Sequence, residues 1–296
     1  MTPILALVAD HAFGEPPLRL HPVVWMGRFL GLGGKSIPAT NSGAFLKGAI
    51  LWIIGAAIWA GLGLAAEHWL SRLGLWAVPA TALVAFPFLS LRLLCREVAE
   101  VEIALGTGLE TGRRQLSRIV SRKTGALSAT EVRESALESL AENLTDSVTA
   151  PLFWLLLLGL PGIMVYRFAN TADAMWGYRD HREHFGKWAA HADDVLNWIP
   201  SRLTGLLLCP VALWPRLSRE SRLTPSPNGG WTMGAMALRL GVRLGKPGVY
   251  TLNSGAPAPD SPHVPQALGS ARQVAWLFAG LASLIQVLWM AFHARF

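Results

Sequence analysis

The stretch SVTAPLFWLLLLGLPGIMVY, residues 147–166, decides the fold, because these 20 residues carry no charge and interrupt the most acidic part of the chain. Ten of the 19 Asp and Glu residues lie between Glu131 and Asp194, on either side of this stretch. Carboxylates at the edge of an apolar membrane segment are costly to place, and they usually mark a functional site. The stretch therefore predicts a membrane protein whose chemistry lies close to the bilayer.

The composition of the whole chain also indicates an integral membrane protein. Hydrophobic residues make up 52% of the 296 residues and charged residues 15%, whereas soluble domains have about 25% charged residues. A net charge of +7 in a membrane protein more often sets orientation than binds nucleic acid, so we expect no nucleic-acid partner. The predicted fold class is all-α: a polytopic helical membrane protein with three to five membrane segments and a large polar middle region that faces the cytoplasm. We expect a single membrane-enzyme domain over residues 1–296.

Three uncharged runs are long enough for a membrane-spanning helix, which needs about 20 apolar residues; they lie near residues 48–66, 73–91 and 273–292. Two other apolar runs, near residues 147–166 and 203–215, are interrupted or short, and we expect re-entrant or short segments there. If only the three intact runs cross the membrane, 24 of the 26 Lys and Arg residues lie on one side, against 19 if all five runs cross. The positive-inside rule favours the first arrangement and places the polar middle region in the cytoplasm.

The interruption in residues 147–166 predicts a helical hairpin. Gly159-Leu160-Pro161-Gly162 is a turn signal in the middle of the apolar run. We expect one helix over residues 131–158, with apolar residues at four-residue spacing on one face, and a second helix that begins near Ile163.

This hairpin would bring two carboxylates together. Asp146 lies 14 residues before Leu160 and Asp173 lies 13 residues after it, so antiparallel helices place both at the same level. Asn143 and Asn170 then lie about one turn away. Facing carboxylates suit Mg²⁺, which prefers oxygen ligands and often binds phosphates at the same time.

A basic run precedes the acidic region at roughly helical spacing, and it consists of Arg113, Arg114, Arg118, Arg122 and Lys123. Such a run predicts contact with the anionic surface of a membrane. Phosphate binding is the alternative interpretation.

Five ordered motifs extend over nearly the whole chain. They are an opening motif of Asp10, Gly14, Pro16 and His21-Pro22-Val23; residues 138–146 with 150–153; residues 166–179; residues 185–186 with 193–202; and residues 226–231 with 241–250. Together they resemble the motifs of the adenosylcobinamide-phosphate synthase family, which are integral membrane proteins of cobalamin biosynthesis. One departure is Glu15, where the family usually has Asp, and this change keeps the charge.

The resemblance implies a reaction, the ATP-dependent amide ligation of adenosylcobyric acid with (R)-1-amino-2-propanol O-phosphate to give adenosylcobinamide phosphate. It implies ATP and Mg²⁺ as cofactors. It also implies a multi-pass protein of the bacterial cytoplasmic membrane whose active face is cytoplasmic. The expected partners are adenosylcobyric acid, the aminopropanol phosphate and the lipid bilayer, with other cobalamin-pathway enzymes as further candidates.

This chemistry needs carboxylates that bind metal or accept a proton, and cations that hold phosphate. The residues expected to be catalytic are Glu142, Asp146 and Asp173. The residues expected to bind metal are Asp146, Asp173, Asp193 and Asp194. The residues expected to bind substrate or ATP are Asn143, Asn170, Tyr178, Arg179, Asn197, Arg202, Asn228, Trp231, Arg243 and Lys246. The sequence leaves open which carboxylate binds metal and which is the general base.

Two other classes of function fit parts of the sequence. Asp173, Gly177, Gly186 and the Asp193-Asp194 pair partly match the pattern of CDP-alcohol phosphotransferases, although the Ala-Arg pair of that pattern is missing. Carboxylates at a broken helix also suit a transporter, or a non-catalytic membrane partner of the corrinoid pathway. A transporter would not require the long polar middle region. ATP hydrolysis stimulated by the two substrates would separate these classes from the ligase.

Overall fold

The structure is a computed structural model that describes residues 1–35, 37, 41–178 and 182–293, and most of these residues are helical. The α-helices in this part of the chain are α1 Thr2–Phe13, α2 Pro22–Gly33, α3 Asn41–Leu70, α4 Ala77–Ala85, α5 Leu91–Thr107, α6 Leu109–Leu116, α7 Ala129–Leu144, α8 Ala150–Trp176, α9 Glu183–Leu196, α10 Trp198–Leu208, α11 Trp214–Glu220, α12 Gly229–Leu240 and α13 His263–His293. Two short strands, β1 Leu244–Lys246 and β2 Tyr250–Leu252, pair in antiparallel orientation. The predicted all-α fold class is confirmed.

The helices pack into two compact units, and each unit is assembled from separate stretches of the chain. The first unit comprises Met1–Ser90, Ala150–Asn197 and Phe278–Phe296, and the second comprises Leu91–Thr149 and Trp198–Leu277. The expectation of a single membrane-enzyme domain stays a prediction, because these units are defined by packing alone.

Three helical stretches of the described residues are long and apolar enough to cross a membrane, and they are Asn41–Thr107, Ala129–Trp176 and His263–His293. The predicted span near residues 73–91 is not one continuous helix. It contains α4, which has nine residues, between the 3₁₀ turns Ser71–Trp76 and Phe86–Phe88. Nine residues at about 1.5 Å each cover less than half of a bilayer core of about 30 Å. Gly74, with a φ of 57°, gives a physical reason for the first interruption.

The turn predicted in the middle of the apolar run is present within α8. Gly159 has φ 63° and ψ −147°, a conformation that favours glycine. A Cβ atom on Gly162 would lie 2.3 Å from the carbonyl oxygen of Trp154, whereas in a straight helix residues eight positions apart are about 12 Å apart. The chain therefore doubles back at Gly159. The backbone N–H of Leu160 donates to Oε1 of Glu67 at 2.7 Å, which satisfies a donor exposed by the turn.

The predicted helix over residues 131–158 is interrupted before this turn. A π-helical turn, Thr145–Thr149, separates α7 from α8. Pro151 has no backbone N–H and cannot continue the regular hydrogen-bond ladder, which gives a physical reason for the wider turn. Such turns occur frequently at functional sites, and this one contains Asp146.

Small residues let α3 approach the second half of α8 closely in the first unit. A Cβ atom on Gly55 would lie 2.1 Å from Cζ of Phe168, and one on Gly63 would lie 2.6 Å from Cα of Pro161. Close backbone approach at small residues is typical of helix packing in membranes. This packing holds the part of α8 that carries the predicted Asn170 and Asp173.

The position of α7 determines where the polar side chains of the second unit lie. The helix begins with a capping box, in which the side chains of Ser128 and Glu131 each bond to the backbone N–H of the other residue. Its predicted apolar face is buried and comprises Val132, Ala136, Leu140 and Leu144. α12 and strand β1 pack against α7, so the β1–β2 hairpin lies beside this helix.

Candidate functional site

An acidic site lies in the first unit and comprises Asp173, Asp193 and Asp194 with the amides of Asn170 and Asn197. Nδ2 of Asn170 donates to one carboxylate oxygen of Asp193 at 3.3 Å, and Nδ2 of Asn197 donates to the other at 3.1 Å. The hydroxyl of Tyr166 donates to Oδ1 of Asn197 at 2.9 Å. These bonds fix the orientation of the Asp193 carboxylate between α8 and α9.

Two glycines of the sequence motifs make room for the acidic site. A Cβ atom on Gly177 would lie 2.1 Å from Oδ1 of Asp173, and one on Gly186 would lie 1.8 Å from the carbonyl oxygen of Trp176. Because α9 approaches the end of α8 this closely, Asp173 and Asp193 interact electrostatically.

The acidic site disfavours the charged form of its carboxyl groups. Burial, followed by the charge of Asp173, raises the pKa of Asp193 to about 7. Burial also raises the pKa of Asp194, while the charge of His191 acts in the opposite direction. A cation bound at this site would relieve the repulsion between the carboxylates.

The donor atoms of the acidic site suit Mg²⁺. This ion prefers oxygen ligands, and it usually takes one or two carboxylates together with substrate phosphates. Asn170 and Asn197 direct their N–H groups at Asp193, so the carboxylates are the candidate ligands and the amides orient one of them. Within the described part of the chain, no group of three or more His, Cys, Asp and Glu side chains is arranged to hold a metal by itself. Of the four predicted metal ligands, Asp173, Asp193 and Asp194 belong to the first unit and Asp146 belongs to the second. The predicted pairing of Asp146 with Asp173 stays a prediction.

The opening motif contributes a polar network that sequence reasoning did not include in the site. Glu15 accepts a hydrogen bond from Oγ of Ser90, and its other carboxylate oxygen lies 2.6 Å from Nε2 of His21. Burial raises the pKa of Glu15, but the hydrogen bonds of His21 and Ser90 and the charge of Arg167 outweigh this effect and lower the pKa. Arg167 in turn donates to Oδ1 of Asn170 at 3.1 Å. The presence of Glu15 and His21 within an ordered motif was the signal that could have revealed this network.

Two predicted residues follow directly after α8. Tyr178 is exposed, and the guanidinium of Arg182 lies 4.5 Å from the centre of its ring. This distance is typical of a cation–π contact. Arg179 lies outside the described residues.

A cavity of about 380 Å³ in the second unit, which we call the charged cavity, is lined by side chains of both signs. Its polar lining includes Arg122, Ser135, Glu138, Ser139, Glu142, Asn143, Lys246 and Tyr250. Three of these residues, Glu142, Asn143 and Lys246, are predicted from the sequence. Nδ2 of Asn143 donates to the carbonyl oxygen of Ser139 at 2.9 Å. Asp146 is not among the described residues that line this cavity.

Glu138 is a deeply buried acid of the cavity wall, with 2% of its side chain exposed. Its Oε2 lies 2.9 Å from Nη2 of Arg122, and Nη1 of Arg122 donates to Oγ of Ser135 at 3.0 Å. Oε1 of Glu138 is buried and has no hydrogen-bond partner in the part of the chain that the structure describes. The expected contact of Arg122 with a membrane surface is wrong, because its guanidinium is largely buried beside Glu138.

Sequence reasoning missed Glu138 and Tyr250 as site residues, although both lie within the ordered motifs. Burial, followed by the charge of Glu138, raises the pKa of Tyr250, so this phenol stays protonated. Its hydroxyl donates to Sδ of Met233 at 3.5 Å. Arg243 was predicted to bind substrate, and the structure pairs its Nε with Oε1 of Glu134 at 3.2 Å.

The remaining predicted residues, Arg202, Asn228 and Trp231, lie together in the second unit. Nη1 of Arg202 donates to Oδ1 of Asn228 at 3.2 Å. The guanidinium of Arg202 lies 4.2 Å from the ring centre of Trp198 and 5.2 Å from that of Trp231, within the range of cation–π contacts. Arg202 and Trp231 also line a second cavity, of about 360 Å³. Residues 224–226 line both cavities.

The fold and these two sites define an integral membrane protein with charged side chains buried among its helices. The family model described as CobD/Cbib protein matches residues 3–275, and the chain belongs to this CobD/CbiB family. The family resemblance inferred from the motifs is confirmed.

Curated relatives of the chain carry names from the same family. The chain is 42% identical to the probable cobalamin biosynthesis protein CobD of Methanothermobacter thermautotrophicus over 259 residues, which is 84% of this chain and 85% of the relative. It is 39% identical to the cobalamin biosynthesis protein CobD of Brucella anthropi, and the match covers 83% of this chain and 81% of the relative. It is 36% identical to the protein of that name from Rhodobacter capsulatus, with 97% of each chain covered. No solved structure matches the chain.

Proposed function

We propose that this chain is an ATP-dependent ligase of cobalamin biosynthesis, which joins adenosylcobyric acid to (R)-1-amino-2-propanol O-phosphate through an amide bond. Membership of the CobD/CbiB family supports the role in cobalamin biosynthesis. The observation that carries the ligase assignment is the close approach of the Asp173 and Asp193 carboxyl groups, with Asp193 held in place by two amide donors. An enzyme that uses ATP needs carboxylates that hold Mg²⁺ beside the phosphates.

In this proposal, Asp173 and Asp193 hold Mg²⁺, with Asp146 and Asp194 as further candidates. When bound there, the ion would supply positive charge against the phosphates of ATP, whose role in this proposal would be to activate the corrinoid carboxylate for amide formation. The attacking amine must lose a proton, since an ammonium group is not a nucleophile. Glu142 lines the charged cavity, and we propose it as the acceptor of that proton.

The cations of the second unit are proposed to bind phosphate groups. Lys246 lines the charged cavity, where its ammonium group would bind a phosphate as a point charge. Arg202, fixed by Asn228 and the ring of Trp231, lines the neighbouring cavity and offers a second position for an anion. Asn170 and Asn197 are proposed to orient the Asp193 carboxylate, to which both donate, and Asn143, which lines the charged cavity, is proposed to contact the substrate.

The proposed location is the bacterial cytoplasmic membrane, with the active face in the cytoplasm. The three apolar helical stretches support a multi-pass protein. If the uncharged runs near residues 48–66, 73–91 and 273–292 cross the membrane, 24 of the 26 Lys and Arg residues lie on the side of residues 92–272, which supports a cytoplasmic orientation of that region. ATP and both substrates would reach the sites from that side.

Phosphate release from ATP tests this proposal. Purified protein in lipid nanodiscs is supplied with Mg²⁺ and ATP, and each substrate is added alone and then both together. The proposal predicts release that requires both adenosylcobyric acid and the aminopropanol phosphate, and that Asp193→Asn lowers. A transporter or a non-catalytic partner would give no such double dependence. A CDP-alcohol phosphotransferase would release CMP from a CDP-alcohol in place of phosphate from ATP.

A further inference from the structure

The size of the charged cavity restricts what it can hold. About 380 Å³ is near the lower end of the range of small-molecule sites, about 300–1,000 Å³. Of the two substrates in the proposed function, the corrinoid carries a large macrocycle, and the amino alcohol phosphate is a short chain with one charged group at each end. The cavity suits the second substrate.

The charges on the cavity wall are mixed in sign. Lys246 lies within electrostatic reach of Glu138, and Glu142 lines the same cavity. A site for a purely anionic ligand would place such carboxylates against like charge, which is repulsive. A ligand with both an ammonium and a phosphate group can be attracted by both kinds of side chain.

An unsatisfied oxygen marks where the positive end of such a ligand would bind. The Arg122 guanidinium bonds to Oε2 of Glu138, and Oε1 is buried without a partner of hydrogen-bond geometry among the described residues. The hydroxyl of Tyr250 interacts with the same carboxylate, although its well-aligned hydrogen bond goes to Sδ of Met233. A buried acceptor without a donor is unfavourable, and for a charged group the penalty is larger than for a neutral one. An ammonium group offers three donors and the opposite charge.

We propose that the charged cavity is the binding site of the amino alcohol phosphate, with Glu138 holding its ammonium group and Lys246 its phosphate. This inference rests on the proposed ligase function and assigns one of its two substrates to a place in the molecule. Glu138 touches the substrate and selects for an amine at one end of it. Arg122 acts through Glu138, because its guanidinium fixes the orientation of the carboxylate.

Calorimetric titration of the full-length protein in nanodiscs, without ATP or corrinoid, tests this assignment. The probes are (R)-1-amino-2-propanol O-phosphate and isopropyl phosphate, which has the same phosphate and carbon chain but no amino group. Wild-type protein should bind the first at least tenfold more tightly than the second. Equal affinities in the wild-type protein overturn the proposal without the use of any variant.

The variant Glu138→Gln separates substrate contact from a structural role. It keeps the shape of the side chain and removes its charge. We expect it to weaken binding of the amino alcohol phosphate at least tenfold while isopropyl phosphate binds no more weakly than to wild type. Equal weakening of both probes would show that Glu138 only supports the cavity wall, which overturns the proposal. Glu110→Gln, the same change at an exposed carboxylate of the second unit, is the matched control and should change neither affinity.

A variant at the phosphate end of the site should weaken binding of both probes, whereas Glu138→Gln should weaken only one. Lys246→Met should weaken both probes by a similar factor, because both carry phosphate, and unchanged binding of both would contradict the phosphate assignment.

The ligation reaction is measured separately. If wild type forms the amide and Glu138→Gln does so with an unchanged KM for the amine, the site assignment fails and the ligase function stands. If no amide forms while the amine selectivity is present, the ligase function fails and the binding site stands.

Discussion

Replacement of Asp193 by Asn should destabilise the protein near pH 4 and should leave it as stable as wild type, or more stable, at pH 8. The pKa of Asp193 is raised from 3.8 to about 7, with burial as the main cause and the charge of Asp173 next. Between these values the folded protein keeps a proton that the unfolded chain releases. The stabilisation from this group is therefore complete below about pH 4 and is lost as the pH rises to about 7. At about 1.4 kcal/mol per pH unit, the loss is at most about 4 kcal/mol, and residual contact of the half-buried carboxylate with water lowers that figure.

The variant removes this pH dependence but loses a hydrogen bond at every pH. The Asp193 carboxyl group accepts from both Asn170 and Asn197. Its protonated form can still accept at the hydroxyl oxygen, whereas an amide in its place has one acceptor oxygen and one NH2 group that only donates. A donor left without its partner costs about 1–3 kcal/mol. In the absence of Mg²⁺, Asp193→Asn should thus be less stable than wild type near pH 4, and as stable or more stable at pH 8.

Denaturant unfolding in detergent with a metal chelator, followed by tryptophan fluorescence from pH 4 to pH 8, measures this difference. Glu110→Gln, at an exposed carboxylate, is the control and should run parallel to wild type. Addition of Mg²⁺ at pH 8 should stabilise wild type and leave Asp193→Asn unchanged. If the free energies of unfolding of wild type and Asp193→Asn change in parallel over the whole pH range, burial and the charge of Asp173 do not disfavour the charged form of Asp193, and the argument is refuted.

Three further predictions concern activity, orientation and packing. Asp146→Asn and Asp173→Asn should each lower ligation about a hundredfold or more, by removal of a proposed metal ligand, without loss of protein from the membrane; wild-type rates in both would end the metal proposal. A cysteine in place of the exposed His184 should react with an impermeant thiol reagent from the cytoplasmic side, against a low background because both native cysteines are buried; labelling from the periplasm alone would reject the proposed orientation. Gly55→Ala should destabilise the protein by about 1–3 kcal/mol, since its Cβ would lie 2.1 Å from an aromatic ring of α8, while Gly61→Ala in the same helix, where nothing lies within 4 Å, should be neutral or stabilising by up to about 1 kcal/mol; two variants of equal stability would show that close packing at position 55 is unimportant.

The features predicted correctly from the sequence are those that depend on near neighbours in the chain. The four-residue spacing from Val132 to Leu144 predicts the buried face of α7, because an apolar residue at every turn forms a stripe along the helix that packs against other elements. The turn at Gly159 is predicted for a similar reason, since glycine and proline act on the local backbone. The interruptions in the run near residues 73–91 were not predicted, because a count of uncharged residues does not reveal a glycine with positive φ.

The sequence predicted which residues belong to the sites better than it predicted how those residues are arranged. Asn170, Asp193 and Asn197 were expected to be site residues, but the bonds among them join two helices and follow from tertiary packing. The pairing of Arg122 with Glu138 is of the same kind, because it joins a loop to the next helix across 16 residues. Spacing along one helix cannot reveal a partner that lies on another element.

The measurement that tests the central claim most directly is mass detection of the amide product. Wild-type protein in nanodiscs is incubated with Mg²⁺, ATP, adenosylcobyric acid and (R)-1-amino-2-propanol O-phosphate, and the corrinoid fraction is analysed by mass spectrometry. The account predicts a corrinoid heavier by the mass of the amine minus one water, formed only when ATP is present and strongly reduced in Asp173→Asn. Unchanged corrinoid in the complete wild-type reaction, with the protein folded and both substrates intact, would contradict it.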